Sequence, residues 1–455
     1  MVSVRASPWE AHVVTMNLHR EVLHGFERDR EKPVHETERR NMRYGILHGA
    51  FFNMATAFAD PYTIMPLFLA GFTESRALIG LVISLVGAVG VLPQIAVADR
   101  LRHQPHLAKP LMLGGIWTRC AVWGALAALT LLIPNPGVLM LFLFMAGVSI
   151  YSLGGGFAVL PLKQIISGTI APEHRSSFFG WRLFSGGLLA VIAGAVVKRV
   201  LGSEGPVWPQ NYGVLFLLSF AALIVAYTAM SHLKLPYSAL CKVVPHRSVF
   251  HDLKRIWIGY PVLKRLIVVR LLSGGLVLAF PFLTLYATLE IGISLAWVGI
   301  FVVAQRVGAI ASNLVWMPLG NRLGTKRVIL SGLALAILGL VTILVSKTVL
   351  SFAVAFALAG AAMSAMIVGF DGYILELGTP DIRPMLFALE GTLLFPLYFM
   401  PLLGGWVADT CGYKALVFIG IVLVTTALIA ATTLCEPRRG DPACGPCADA
   451  GRNEV

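Results

Sequence analysis

Twelve apolar runs follow one another along this chain of 455 residues, and each is long enough to cross a bilayer. A transmembrane helix needs about 20 mostly apolar residues, because its backbone must satisfy its own hydrogen bonds in lipid. The runs therefore predict an all-α membrane protein with twelve transmembrane helices. They are numbered here spans 1 to 12 and cover residues 46–70, 77–98, 110–133, 137–162, 178–200, 212–233, 262–288, 295–318, 327–346, 350–373, 385–407 and 413–434.

Composition agrees with this prediction and excludes a soluble class. Only 13% of the residues are charged, whereas soluble domains carry about 25%. The chain is basic, with a formal net charge of +13, but most of its Lys and Arg residues lie in the tails and in the connections between spans. No basic stretch is interleaved with aromatic residues, so nucleic acid is not an expected partner. The expected partners are the lipid bilayer and a small-molecule or ion substrate.

The distribution of Lys and Arg predicts the orientation of the chain. The loops after even-numbered spans hold 16 of these residues, and the loops after odd-numbered spans hold five. Because cytoplasmic loops carry the excess of positive charge, both termini are expected in the cytoplasm of a multi-pass protein of the plasma or inner membrane.

The longest connection divides the spans into six and six. The predicted organisation is a polar cytoplasmic N-terminal tail, an N-terminal six-helix lobe, a cytoplasmic central loop, a C-terminal six-helix lobe and a cytoplasmic C-terminal tail. These segments cover residues 1–44, 45–233, 234–261, 262–435 and 436–455.

The two halves of the chain echo each other at corresponding loops. Three short segments recur in the same order, at offsets of 219, 222 and 208 residues, which predicts two pseudo-symmetric lobes related by duplication. The matched pairs are Ser75–Gly80 with Ser294–Gly299, Asp99-Arg100 with Asn321-Arg322, and Pro172–Arg175 with Pro380–Arg383.

The segment Pro318-Leu-Gly-Asn-Arg-Leu-Gly-Thr-Lys-Arg327 resembles the loop signature of the major facilitator superfamily. Ala98–His103 resembles a first copy of that signature, and Gly405–Gly412 a related turn. The resemblance covers about 40–435 and implies two lobes around a central solute cavity. The first copy lacks the glycines of the signature. The antiporter signature of span 5 is missing from 180–194, which weighs against a drug/proton antiporter.

By the same resemblance, the charged loops imply a latch between two conformations. An acid with several bases at helix ends can hold one conformation through a charge network. The alternative is that these bases only fix the topology. The implied latch residues are Asp99, Arg100, Asn321, Arg322, Lys326 and Arg327, with Asn321 standing where an acid is usual.

Span 1 carries a polar stripe in an apolar run. Asn53, Thr56, Asp60 and Thr63 follow helical spacing, and Pro61 lacks the N–H that would bind the carbonyl of residue 57. The spacing predicts a kinked helix that presents a carboxylate, hydroxyls and an amide to a cavity, since lipid contact would be costly. Asp60 is a candidate proton carrier or ligand for ion or substrate.

Arg306 in span 8 is the second candidate, because a planar guanidinium suits a carboxylate or phosphate. The alternative for both residues is a structural ion pair, with Arg306 as the partner of Asp60. Arg119 is interpreted as structural, and Arg270 is expected to extend to the membrane surface.

The offset of 208 residues also aligns two bases of the first half with two acids of the second. It aligns Lys163 with Asp371 and Arg182 with Glu390. In the resembling fold the ends of spans 4, 5, 10 and 11 meet when the cytoplasmic side closes. These four residues therefore form a predicted gate of salt bridges.

The expected function is secondary active transport of a small solute by alternating access, coupled to an ion such as the proton. Two alternatives stay open: an assembly or receptor protein of the same fold that transports nothing, and a transporter of a metal ion such as iron held by the span 1 oxygens. No enzymatic activity, cofactor or metal site is expected. The protein is expected to be a monomer. Cys444-Gly-Pro-Cys447 copies a redox motif but lies in a polar tail without βαβ context.

Overall fold

The computed structural model describes residues 36–202, 205–234, 257–377 and 383–437, and this part of the chain is helical without strands. The tail up to residue 35, most of the central loop and the tail beyond residue 437 lie outside these ranges. The expectations for those segments, including Cys444 and Cys447, therefore lie outside the described residues.

The first six spans follow the order read from the sequence. Span 1 is helical over residues 36–58 and again over Ile64–Ala70. The helices of spans 2 to 6 are Arg76–Val91 with Gln94–His103, Ala108–Leu132, Val138–Thr169, Pro172–Val200 and Gln210–Ser231.

Span 1 starts ten residues earlier than its apolar run. Polar side chains hold this extension against the lobe. Glu38 accepts a hydrogen bond of 2.8 Å from the amide of Ala171, just before span 5. Asn41 exchanges two hydrogen bonds with the backbone of Lys234, after span 6. Hydropathy alone misses this extension, because its side chains are satisfied by backbone groups rather than by apolar contact.

The last six spans contain more interruptions. Span 7 runs through Pro261–Ser273, Gly275–Ala279, a 3-10 turn Phe280–Phe282, Leu283–Leu285 and a π-helical turn Tyr286–Glu290. Span 8 comprises Leu295–Trp297, Val298–Ala311 and Asn313–Leu323, span 9 Thr325–Val345, and span 10 Val349–Leu377. Spans 11 and 12 comprise Arg383–Leu393, Phe395–Phe399 and Met400–Thr432.

Ten helices of the described part are long and apolar enough to cross a membrane. One of them, 395–432, holds two spans, because Gly412 has φ +82° and is not helical. The broken span 1 is the twelfth. The twelve-span prediction therefore agrees with the helices of the described residues.

The two lobes touch through small residues in one half of the molecule. A Cβ added to Gly80 of span 2 would overlap the backbone of Pro401 in span 11, and Gly194 of span 5 meets Gly299 of span 8 in the same manner. Glycine permits such close helix crossings. This half ends at Asp409, between spans 11 and 12, and is called the Asp409 end.

Toward the opposite end, called the Lys163 end, the lobes separate. Gly187 of span 5 still meets Ile310 of span 8, but Gly180, two turns nearer the Lys163 end, has open space beside it. Gly391 of span 11 likewise has no described atom within 4 Å of the place that a Cβ would occupy. The close contact between the lobes therefore lies toward the Asp409 end and ends before the Lys163 end.

Candidate functional site

The break in span 1 is built around the Asp60 carboxylate. The first helix ends at residue 58, and Pro61 supplies no N–H to continue it. Asp60 Oδ1 instead accepts hydrogen bonds from the amides of Tyr62 and Thr63, at 2.9 and 3.1 Å, and from the Thr63 hydroxyl at 3.1 Å. The side chain thus replaces helical hydrogen bonds that the break removes.

The second oxygen of Asp60 binds across the lobe interface. Asp60 Oδ2 accepts a hydrogen bond of 2.7 Å from Arg306 Nη2 of span 8. Asp60 is 1% exposed, whereas the Arg306 side chain is 24% exposed, so the carboxylate is the buried member of the pair. The Nε atom of Arg306 is also buried and has no hydrogen-bond partner. The two candidates chosen from the sequence therefore form one ion pair that joins the lobes.

The other polar residues of the span 1 stripe lie on the two sides of the break. Thr63 joins Asp60 as described. The Asn53 amide donates to the carbonyl of Gly49 at 2.8 Å, and the Thr56 hydroxyl donates to the carbonyl of Asn53 at 2.9 Å. These two side chains bind their own helix. A single face on a continuous helix is not formed, because residues 59–63 leave the helical conformation.

A second break lies opposite the first. Span 7 narrows to a 3-10 turn at Phe280–Phe282, and the ring of Phe280 lies 5.4 Å from the ring of Tyr62. Pro281 stands 220 residues after Pro61, which agrees with the repeat offsets of 219 and 222 residues. Paired helix breaks of this kind are where transporters bind solutes and ions. The repeat offset applied to Pro61 would have predicted the break at Pro281 from the sequence.

The gate acids have a partner in their own lobe. Arg270 of span 7 contacts Asp371 Oδ1 of span 10 at 3.4 Å and forms a shorter ion pair with Glu390 of span 11. Arg270 was expected to extend to the membrane surface, and it instead holds two acids. Within the described ranges, neither Lys163, which is exposed, nor Arg182, which is half-buried, forms an ion pair.

The loop signature is largely exposed. Asp99 contacts His103 of its own helix, with 3.7 Å between Oδ1 and Nδ1. The Lys326 ammonium donates to the carbonyl of Thr432 at 2.7 Å, which ties the start of span 9 to the end of span 12. The remaining four residues of the implied latch are all exposed: Arg100, Asn321, Arg322 and Arg327.

Among the described residues, Asp409 makes the densest polar contact between the lobes, and it was not among the predicted site residues. Its carboxylate accepts from the amides of Arg76 and Ala77 at 2.9 and 2.8 Å, and from the Ser75 hydroxyl at 3.3 Å. Arg76 also donates from Nε to the Tyr413 hydroxyl at 3.0 Å. The only hint in the sequence was the turn Gly405–Gly412, which gives no partner.

Comparisons with known proteins agree on the fold. Residues 265–446 match the family model described as Major Facilitator Superfamily. A curated relative, the multidrug resistance protein MdtG of Yersinia enterocolitica, is 23% identical over 290 residues, which is 62% of this chain and 67% of the relative.

Two solved structures illustrate the structural likeness. The crystal structure of a bacterial homologue of the iron transporter ferroportin, in an inward-facing state, has a TM-score of 0.65 at 16% identity. The D-xylose–proton symporter has a TM-score of 0.68 at 14% identity. Each comparison covers 88% of this chain and 98% of the solved one.

Proposed function

Because this chain belongs to the major facilitator superfamily and is a multi-pass membrane transporter, we propose that it is a secondary active carrier in which Asp60 couples proton movement to alternating access. The observation that carries this proposal is the ion pair between Asp60 and Arg306. It joins the lobes at the paired helix breaks, where the conformational change must separate them.

Energetics support a coupling role for the pair. Removing one partner of a buried ion pair costs about 3–5 kcal/mol, because the other charge is left uncompensated. Protonation of Asp60 removes its charge and so weakens the hold on Arg306. A change of 1.4 kcal/mol shifts a two-state ratio about tenfold, so one proton suffices to favour separation of the lobes at this level.

The cycle follows from the orientation predicted by the Lys and Arg distribution. In that orientation the Lys163 end faces the cytoplasm and the described conformation is inward-open. The proposed segments are those predicted from the sequence, except that the N-terminal lobe begins with the helix at residue 36. A proton binds Asp60 while the Asp409 end is open. It leaves toward the cytoplasm when the inward-open state forms and Arg306 again stabilises the charged carboxylate.

The gate charges extend the proposal to the opposite state. In the described conformation Arg270 forms ion pairs with Glu390 and Asp371. When the Lys163 end closes, we expect Lys163 and Arg182 to approach these acids and to compete with Arg270 for them. The exposed charges at the ends of spans 2 and 8 are proposed as the accompanying latch.

A metal ion is the less supported substrate. The span 1 oxygens were the candidate ligands, but Asp60 Oδ1 accepts three hydrogen bonds and Oδ2 contacts a guanidinium. A cation at this carboxylate would meet the positive charge of Arg306 at close range. Drugs, as the name of the MdtG relative suggests, remain a candidate solute class beside sugars and other small molecules.

The test begins with a thermal-shift screen of solutes on the purified protein, because a bound ligand raises stability by mass action. A hit is then offered to proteoliposomes under an imposed pH gradient. We expect accumulation by the parent protein. Asp60→Asn should lose gradient-driven accumulation and keep exchange between equal pools, since exchange moves no net proton.

Full gradient-driven accumulation by Asp60→Asn would overturn the coupling role. Loss of both activities would favour a structural or ligand role for Asp60. A protein that binds hits but never moves them would favour the assembly or receptor alternative, with partner sites in the terminal tails.

A further inference from the structure

A row of side chains on span 5 packs against a row of small residues on span 1. Phe178, Arg182 and Gly186 follow at intervals of four residues and lie against Gly45, Gly49 and Asn53, which have the same spacing. Glycine at Gly49 leaves room for a side chain, and the stem of Arg182 fills that space. A Cβ at Gly49 would overlap Arg182. The arginine is therefore held over span 1, half-buried inside the N-terminal lobe.

A second guanidinium lies at the same level of this lobe. Arg119 of span 3 places its Cζ atom 4.1 Å from the centre of the Tyr151 ring and 5.5 Å from that of Phe52. Its Nε atom is buried and has no hydrogen-bond partner. Ring faces attract a cation but do not accept all of its N–H donors, so the Nε donor of Arg119 remains available beside the contact with Tyr151.

Two neutral groups beside these cations are also unsatisfied. His48 of span 1 is 4% exposed, and its Nδ1 atom has no hydrogen-bond partner. The hydroxyl of Tyr227, which is 1% exposed, likewise has none. The His48 ring stacks between Phe52 and Tyr227, at 5.6 and 6.3 Å. Both guanidinium groups lie within electrostatic range of His48.

The charge of this region is uncompensated. Within the described residues, no carboxylate forms an ion pair with Arg119 or Arg182. In the C-terminal lobe, by contrast, Arg270 forms ion pairs with two acids. Buried charge without a partner is costly, and buried polar groups are normally hydrogen-bonded. An anion placed here would satisfy both requirements.

We propose that the N-terminal lobe binds an anionic group of a solute between Arg119, Arg182 and His48. The ligand class is an organic anion, a carboxylate on an apolar or aromatic body, because the rings of Phe52 and Tyr151 lie against Arg119 and that of Tyr227 stacks on His48. Arginine donors match a carboxylate in geometry. The statement that this anion is the transported solute rests on the proposed function. The statement that the anion binds here does not.

Binding is tested directly with benzoate and its neutral analogue benzamide. Saturation-transfer NMR on the full chain, in detergent with phosphatidylcholine as the only lipid and at constant ionic strength, reports weak binding without any transport. We expect benzoate to bind and benzamide not to bind. Arg182→Gln and Gly49→Ala should each weaken benzoate binding at least tenfold, the second by displacing Arg182.

Arg199→Gln is the matched control, because it removes the same charge from the exposed far end of the same span. It should bind benzoate like the parent. Stability without ligand separates a binding role from a structural one. Arg182→Gln should match or exceed the melting temperature of the parent, since it removes an unpaired charge, and a structural arginine would lower it.

Several results would overturn the proposal. They are equal binding of benzoate and benzamide, retention of benzoate binding by Arg182→Gln, or a lower melting temperature for that variant. Phosphatidylglycerol that stabilises the parent and displaces benzoate would assign the site to a lipid headgroup and reject a solute. Benzoate that binds but is not transported would reject only the link to the proposed function.

Discussion

The Asp409 carboxylate of span 11 caps the first turn of span 2 in the other lobe, with Oδ2 2.8 Å from the amide of Ala77. The first amides of a helix lack partners within the helix, and an acid there also interacts favourably with the helix dipole. The usual cap is local, and Ser75 does supply one to Leu78. At this position the second cap comes from the opposite lobe, so it exists only while the Asp409 end is closed.

The first prediction concerns this cap. Asp409→Ala should bias the carrier toward opening of the Asp409 end, because the closed state alone loses the contacts. A cap is worth about 0.5–2 kcal/mol, which shifts the two-state ratio by roughly two- to thirtyfold. Reactivity of a single cysteine placed at the Asp409 end of the cavity measures the shift. Glu290→Gln, an exposed acid at the same end, is the control and should leave reactivity unchanged; equal reactivity in Asp409→Ala would reject the cap.

The second prediction concerns the pair at the helix breaks. Asp60→Asn and Arg306→Gln should each destabilise the closed Asp409 end strongly, by about 3–5 kcal/mol, because one buried charge is left alone. The double variant should be less destabilised than the sum of the two. A double-mutant cycle of melting temperatures or of cysteine reactivity measures this coupling. Additive effects would mean that the two side chains act independently.

Substitution by lysine separates charge from geometry at the same pair. Arg306→Lys keeps the positive charge but replaces the planar group by a point charge. We expect the melting temperature to remain close to that of the parent, while solute binding falls if Arg306 grips an anionic group. Unchanged binding at normal expression would remove Arg306 from solute recognition and leave it the partner of Asp60 alone.

The fourth prediction concerns the gate. The single reversals Lys163→Asp and Asp371→Lys should bias the carrier toward the state open at the Lys163 end, because they place like charges together when that end closes. The double reversal should restore part of the transport rate. Reversals of Arg182 and Glu390 should produce the same bias and its rescue in accessibility, because Arg182 is also proposed to bind the solute. Cysteine accessibility at the Lys163 end reports the bias. If single reversals leave it unchanged, the gate is not formed by these charges.

The fifth prediction concerns the turn between spans 11 and 12. Gly412 has φ +82°, and a residue with a side chain pays about 1–2 kcal/mol in that region. Gly412→Ala should therefore lower the melting temperature. Gly137→Ala is the control, because that glycine has open space and a negative φ; a similar decrease in both variants would show that the backbone conformation is not the cause.

Spans were predictable because hydropathy is a local property. The alignment of Lys163 with Asp371 and of Arg182 with Glu390 could be proposed from the repeat. The partner that Glu390 has in this conformation could not be predicted. Arg270 lies 120 residues away from Glu390, and only packing of spans 7 and 11 brings them together. Asp409 is a similar case, since its main contact is 332 residues away in the chain.

The break in span 1 was only half predicted. Pro61, Pro66 and Asp60 indicate a weakened helix, and a kink was expected. The structure has a complete interruption, because the Asp60 side chain satisfies the amides of Tyr62 and Thr63 and so stabilises the open turn. Whether a proline kinks a helix or interrupts it depends on side-chain hydrogen bonds of this kind. Residue types alone do not determine those hydrogen bonds.

The glycine crossing of spans 5 and 8 has a mechanical consequence. Gly194 and Gly299 are in close contact near the Asp409 end, and Pro172, where span 5 begins, lies 22 residues away along the same helix. At 1.5 Å per residue this is a lever arm of roughly 33 Å. A rotation of about 10° around the crossing would move the far end of span 5 by roughly 6 Å. Small adjustments at one surface of the membrane are thus amplified at the other.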